Sequence, residues 1–301
     1  MGTPEFAVLC LEKIVASGHE VLMVFTQPDK FFGRKKILKL PQVKIKAEQL
    51  KIPVCQPEKL GEEQINLARQ LKPDVVVVVA YGKILPKEFL QVPKFGCVNI
   101  HASLLPRHRG ASPIQTSLVC GDRITGVSAI FLSEKLDAGD VIGQISTEIG
   151  ENETAIDLFE KLSVLGAQLI CKVLADLENG LVSRVVQNEA KATYAPVLTK
   201  ESGRIDFKKP AMLVHKLICA MVPWPVAFCF FNGKILKIHR SVCVSNFFDL
   251  VPGEILKSEG FIVGCGNASA VKLLEVQLES RKKMDGISFL NGVRVKPNFL
   301  V

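Results

Sequence analysis

The 301-residue chain is 48% apolar, enough to fill two hydrophobic cores, which excludes an intrinsically disordered protein. No apolar run approaches the ~20 residues that cross a bilayer, and no basic region precedes a long apolar core at the amino terminus, so neither a membrane span nor a secretory signal is expected. Nine cysteines, scattered and without a Cys-x-x-Cys pair, read as reduced thiols in a cytoplasm, not as a disulfide frame or a zinc site.

Strands and helices alternate to about residue 180. Residues 21–26 form a short β-rich run, 43–50 read as helix, and 62–71 carry an apolar stripe through Ile65, Leu67, Ala68 and Leu71. The β-branched run 75–80 has the composition of a strand buried on both faces of a parallel sheet. A short helix at 87–92, a strand at 97–101, a helix at 112–120 and strands at 127–132 and 141–149 follow. A long amphipathic helix at 154–178 ends before Gly180. This alternation predicts an α/β fold with an open, mostly parallel sheet.

Residues 183–204 are polar and aperiodic and read as a linker. Beyond it lie a helix at 209–221, the break Pro223-Trp224-Pro225, and β-like runs at 226–231, 234–244, 253–257, 260–264 and 270–277. The turn signals Asn232-Gly233 and Pro252-Gly253 separate some of them. Close-spaced strands of this kind predict a small OB-like barrel. The expected division is therefore 1–182, a linker at 183–204, and 205–301.

Charge is unevenly placed. Between 190 and 301 there are sixteen Lys and Arg against eight Asp and Glu, so the whole net charge of +8 sits there. A basic module suggests a polyanionic partner, most simply nucleic acid, although basic surfaces also serve solubility. A second basic run, 30–46, holds Lys30, Arg34, Lys35, Lys36, Lys39, Lys44 and Lys46 with no acid, beside Phe31 and Phe32. It could grip phosphates and touch unstacked bases, or be a solvated basic loop.

The chemistry concentrates in 96–113. Asn99 and His101 are two apart in a strand and so share a face. A loop bounded by Pro106, Gly110 and Pro113 follows, where open α/β sheets place their active sites. Asp137, in Leu136-Asp-Ala-Gly-Asp140, is the best third member. An amide and an imidazole aimed at one carbonyl oxygen form an oxyanion site, and a carboxylate can fix the imidazole and assist proton movement. With an amine as acceptor, no Ser or Cys nucleophile is required. The joint pattern points to acyl transfer, whereas any one histidine alone would read as structural.

Gly2-Thr-Pro-Glu-Phe-Ala7, Thr26-Gln-Pro-Asp29, Asn99-Ile-His-Ala-Ser-Leu-Leu-Pro106, Arg109-Gly-Ala111, Leu136-Asp-Ala-Gly-Asp140 and, later, Pro223-Trp-Pro225 and Leu290-Asn-Gly292 resemble the methionyl-tRNA formyltransferase family of folate-dependent formyltransferases. The resemblance runs from residue 2 to the end. It implies a Rossmann-like formyltransferase domain followed by an OB-like tRNA-binding domain. It also implies transfer of the formyl group of 10-formyltetrahydrofolate to the α-amine of initiator methionyl-tRNA, in a cytoplasmic monomer with no metal and no membrane partner. By the same resemblance Asn99 and His101 hold the formyl oxygen and Asp137 orients His101 and relays the proton. Ser103, Leu104, Leu105 and Pro106 line the folate site, and Arg34 with Lys35 and Lys36 meets the tRNA. The resembling proteins carry a full strand before the Gly-Thr-Pro turn, where this sequence has only Met1. The sheet is expected to lack that strand, leaving an apolar groove and low stability.

Overall fold

The computed structural model describes residues 1–32, 37–244, 250–292 and 299–301; Arg34, Lys35 and Lys36 lie outside the described residues. The chain divides into two compact units. One comprises Met1–Gly110, Ile124–Thr147 and Phe159–Ala195, the other Ala111–Arg123, Glu148–Leu158 and Pro196–Val301. The segment with linker-like composition is thus divided, its residues up to Ala195 clustering with the first unit and the rest with the second.

In the first unit the strands Val76–Val79, Cys97–His101, Ile124–Phe131 and Val141–Glu148 form one sheet in that order. Val76–Val79 runs parallel to Cys97–His101, with Val78 beside Asn99. Ile124–Phe131 runs antiparallel on the other side, with Ser128 opposite His101. Cys97–His101 is buried along its whole length, as a central strand covered on both faces must be. A separate parallel pair joins Val24–Phe25 to Val54–Cys55.

Met1 and Gly2 bridge the two sheets. Gly2 N donates to Phe25 O at 3.0 Å, Val79 N to Met1 O at 2.9 Å, and the terminal ammonium to Val77 O at 2.6 Å. Beside them lies a cavity of about 320 Å³, its walls including Ile14, Leu22, Val24, Leu71, Val75 and Val77.

Helices cover this core. Val8–Ala16, not expected from the sequence, buries Cys10 and Leu11. Ala155–Glu178 buries Leu162, Leu169 and Ile170, and Phe159 meets Phe6 edge-on at 5.3 Å. Its start is fixed by a reciprocal cap: Thr154 N donates to Asp157 Oδ2 at 2.9 Å and Asp157 N to Thr154 Oγ1 at 3.3 Å. Just beyond its end, Gly180 takes a left-handed φ of 68°.

In the second unit an antiparallel sheet runs Ala227–Phe231, Lys234–Val244, Ser269–Leu278, Ile262–Cys265, Ile255–Leu256. Asn232 and Gly233, both at positive φ, make the first hairpin turn. Residues 299–301 close the sheet into a small barrel. Leu300 N donates to Gly253 O at 2.8 Å near one edge, and Phe230 N to Val301 O at 2.6 Å on the other. Helix Ala211–Ala220 packs on this sheet, where His215 Nδ1 lies 2.9 Å from Ser241 Oγ. The buried Lys216 ammonium donates to the carbonyls of Gly150 and Glu151 at 3.0 and 2.9 Å.

Candidate active site

Strand Cys97–His101 carries Asn99 and His101 on one face toward its carboxyl end. Asn99 is only 9% exposed, and its carboxamide has no hydrogen-bond partner among the described residues. Its amide is not among the sealed, unpartnered polar groups of the core, so it remains accessible to a ligand. The His101 ring is held at one nitrogen and faces a carboxylate with the other. Its Nε2 lies 2.9 Å from the carbonyl oxygen of His108, and its Nδ1 faces Asp137 Oδ2 at 3.6 Å. A carbonyl only accepts, so Nε2 carries the hydrogen, and in the neutral ring Nδ1 is left as the base.

Asp137 stands in a left-handed backbone conformation, φ 48°. Its Oδ2 accepts from Gly110 N at 2.8 Å, tying its loop to the one that follows the Asn99–His101 strand. Gly139 makes that loop possible, because a Cβ there would collide with the Phe131 carbonyl.

The expected folate wall is held from beneath by Ser128. Its hydroxyl donates to Ser103 O at 2.6 Å and accepts from Leu105 N at 3.0 Å and Gln144 Nε2 at 2.8 Å, which uses all its capacity. Ser103 is fully buried and its own hydroxyl donates to Arg107 O at 2.6 Å, so it shapes the loop from within. Leu105 is buried too, while Leu104 and Pro106 are half-buried and present the segment's surface.

The structure adds residues that the sequence did not single out. Residues 185–195 run as a strap along the loop. Val185 pairs with Val141, Thr193 O accepts from Arg109 N at 2.8 Å, and Tyr194–Ala195 runs parallel to Arg109–Gly110. Arg109 is 2% exposed and fully engaged by this strap. Its Nε and one terminal nitrogen donate to Gln187 Oε1 at 3.1 and 2.9 Å, and both terminal nitrogens to the Glu189 carboxylate at 3.0 and 2.8 Å. This pairing raises the Arg109 pKa and holds Glu189 below the usual carboxylate range. The only local hint was Arg109 itself, a charged residue inside an otherwise stiff Pro/Gly loop. Among the described residues, no three His, Cys, Asp or Glu side chains gather in a metal-binding group.

Both halves of the chain match known protein families. Residues 1–174 match the formyl transferase model and 197–294 the formyl transferase C-terminal domain. A methionyl-tRNA formyltransferase of Bacillus velezensis is 43% identical over 300 residues, spanning 99% of this chain and 95% of that protein. One from Bacillus subtilis is 42% identical over 299 residues, spanning 98% and 94%. Among solved structures, an N-formyltransferase from Helicobacter canadensis, crystallised with folinic acid and dTDP-3-aminofucose, superposes with a TM-score of 0.71 at 21% identity, covering 94% of this chain and 97% of its own. The chain belongs to the formyl transferase family.

Proposed function

We propose that this chain transfers the formyl group of 10-formyltetrahydrofolate to the α-amine of methionine on initiator tRNA. The observation that carries the reading is that Asn99 and a His101 whose Nδ1 faces Asp137 stand on one face of one strand, in a chain 43% identical over nearly its whole length to a methionyl-tRNA formyltransferase.

The amine nitrogen attacks the formyl carbon, and the carbonyl π electrons move to oxygen. With His101 Nε2 taken by the His108 carbonyl, the donation to the formyl oxygen expected of both residues falls to the Asn99 amide alone, an interaction of the kind worth about 3 kcal/mol. The proton released by the amine passes to Nδ1 of His101, whose charge is balanced by Asp137 at 3.6 Å. The bond from carbon to N10 then breaks. N10 takes the proton, the carbonyl re-forms, and formyl-methionyl-tRNA and tetrahydrofolate leave. Atoms and electrons balance without an oxidant or metal.

Leu104 and Pro106, on the loop braced by Ser128, are the surface offered to the folate. Arg34, Lys35 and Lys36 and the basic last third are assigned to the tRNA, and the protein to the cytoplasm as a monomer. The test is formyl transfer to charged initiator tRNA, charged elongator tRNA and a small aminosugar nucleotide, with His101→Ala alongside. Transfer confined to the initiator tRNA and lost in the variant supports the reading. Equal rates in wild type and His101→Ala, or preference for the sugar, overturn it.

A further inference from the structure

The strap is joined to the site through one side chain. Gln187 is buried, and its carboxamide is used in full. Its Nε2 donates to Asp137 O at 2.8 Å and to Gly139 O at 2.7 Å, and its Oε1 accepts twice from Arg109. Only an amide can do both, since a carboxylate lacks the two hydrogens and an aliphatic chain has neither donor nor acceptor.

We propose that Gln187 is a positioning residue for the reaction, with Arg109 as its anchor: together they set where the Asp137 carboxylate stands relative to His101 Nδ1. This rests on the reading of Asn99, His101 and Asp137 given above. Asp137 is a non-glycine residue at positive φ, a conformation that persists only when its surroundings hold it. Its loop exposes Leu136 and packs closely only at Gly139, against the Phe131 carbonyl. Hydrogen bonds add to that hold, among them two from Gln187 to the loop carbonyls, one from Gly110 N to the carboxylate and one from Phe131 N to Asp140 O. Gly110 also takes its place through the Arg109–Gly110 pairing with the strap. Arg109 is rigid in turn because its fork is divided between Gln187 and the Glu189 carboxylate.

The test uses the full chain with Gln187→Met and, separately, Arg109→Lys, which keeps the cation and removes the fork. Neither alters Asn99, His101 or Asp137 itself. Two readouts are taken on protein that retains its circular dichroism. In steady-state kinetics kcat is expected to fall about ten- to hundredfold, with both KM values within about twofold, the signature of a misplaced reacting group. In the 15N spectrum of the His101 ring, the Nδ1 resonance moves and the Nε2 resonance, held by His108, stays. A structural role in the strap alone would change melting and neither readout. Folded variants with wild-type kcat and an unmoved Nδ1 resonance overturn the proposal. If wild type lacks formyl transfer to the tRNA, the earlier reading fails, and the Nδ1 resonance still decides this one. Should Gln187→Met not fold, Arg109→Lys carries the same two readouts.

Discussion

His101 Nε2 meets the carbonyl oxygen of His108 at 2.9 Å, and that bond decides which ring nitrogen is free for chemistry. With Nε2 committed as a donor, the lone pair of the neutral ring lies on Nδ1, the nitrogen that faces Asp137, and the proposed reaction sends its proton there. His108 holds its carbonyl there from a left-handed backbone, φ 59°, while its own N donates to Thr193 Oγ1 at 2.9 Å. The imidazole is thus aligned by main chain, and the carboxylate serves the charged form.

Asp137→Asn tests this division of labour. The amide retains an oxygen for Gly110 N but can turn a donor toward Nδ1, occupying the lone pair that should receive the proton. We expect kcat to fall by roughly 10²- to 10⁴-fold, with melting within a few degrees of wild type. A kcat within twofold of wild type in calibrated single-turnover assays rules the role out. Asn99→Ala should cost about 10²- to 10³-fold in kcat by removing the oxyanion donor, with folate and tRNA affinities little changed.

Gly139→Ala acts on the same carboxylate through sterics. The added methyl would run into the Phe131 carbonyl, backbone that cannot rotate away, so the Asp137 loop must shift. Overpacking of this sort costs about 1–3 kcal/mol. A lower melting temperature together with a lower kcat is expected, and a variant as stable and active as wild type refutes the close approach.

The strand Cys97–His101 was legible because its information is local. Gly96, at φ 78°, precedes an apolar run, and the period of two puts Asn99 and His101 on one face whatever surrounds them. The helix Glu62–Leu71 was equally plain, since its apolar stripe repeats at helical spacing. The strap was not legible. Gln187 and Glu189 meet Arg109 across about eighty residues of sequence, through side chains whose neighbours show no periodicity. The antiparallel course of Ile124–Phe131 beside Cys97–His101 is likewise set by connection and packing, which a run of β-formers does not encode. Ser103, which the resemblance alone places on the folate wall, donates its hydroxyl to Arg107 O four residues on, a contact that no local pattern announces.

The assignment of the basic loop is tested by salt. Neutralising Arg34, Lys35 and Lys36 together should raise KM for charged tRNA and leave KM for the folate unchanged. The slope of log affinity against log salt should fall by about 0.7–0.9 for each phosphate that the protein no longer neutralises. An unchanged slope removes this segment from the tRNA interface.

Stability should fall in mild acid through the second unit. Burial, the largest influence, lowers the pKa of His215, and the same cause lowers that of His239. Both groups therefore bind protons more weakly folded than unfolded. Their contribution is intact above about pH 6.5 and is lost as pH falls through that value toward the lower folded pKa. His215→Gln removes one of the two titrations and should flatten the melting temperature between pH 5 and 7. A wild-type melting curve indifferent to pH over that interval contradicts the burial argument.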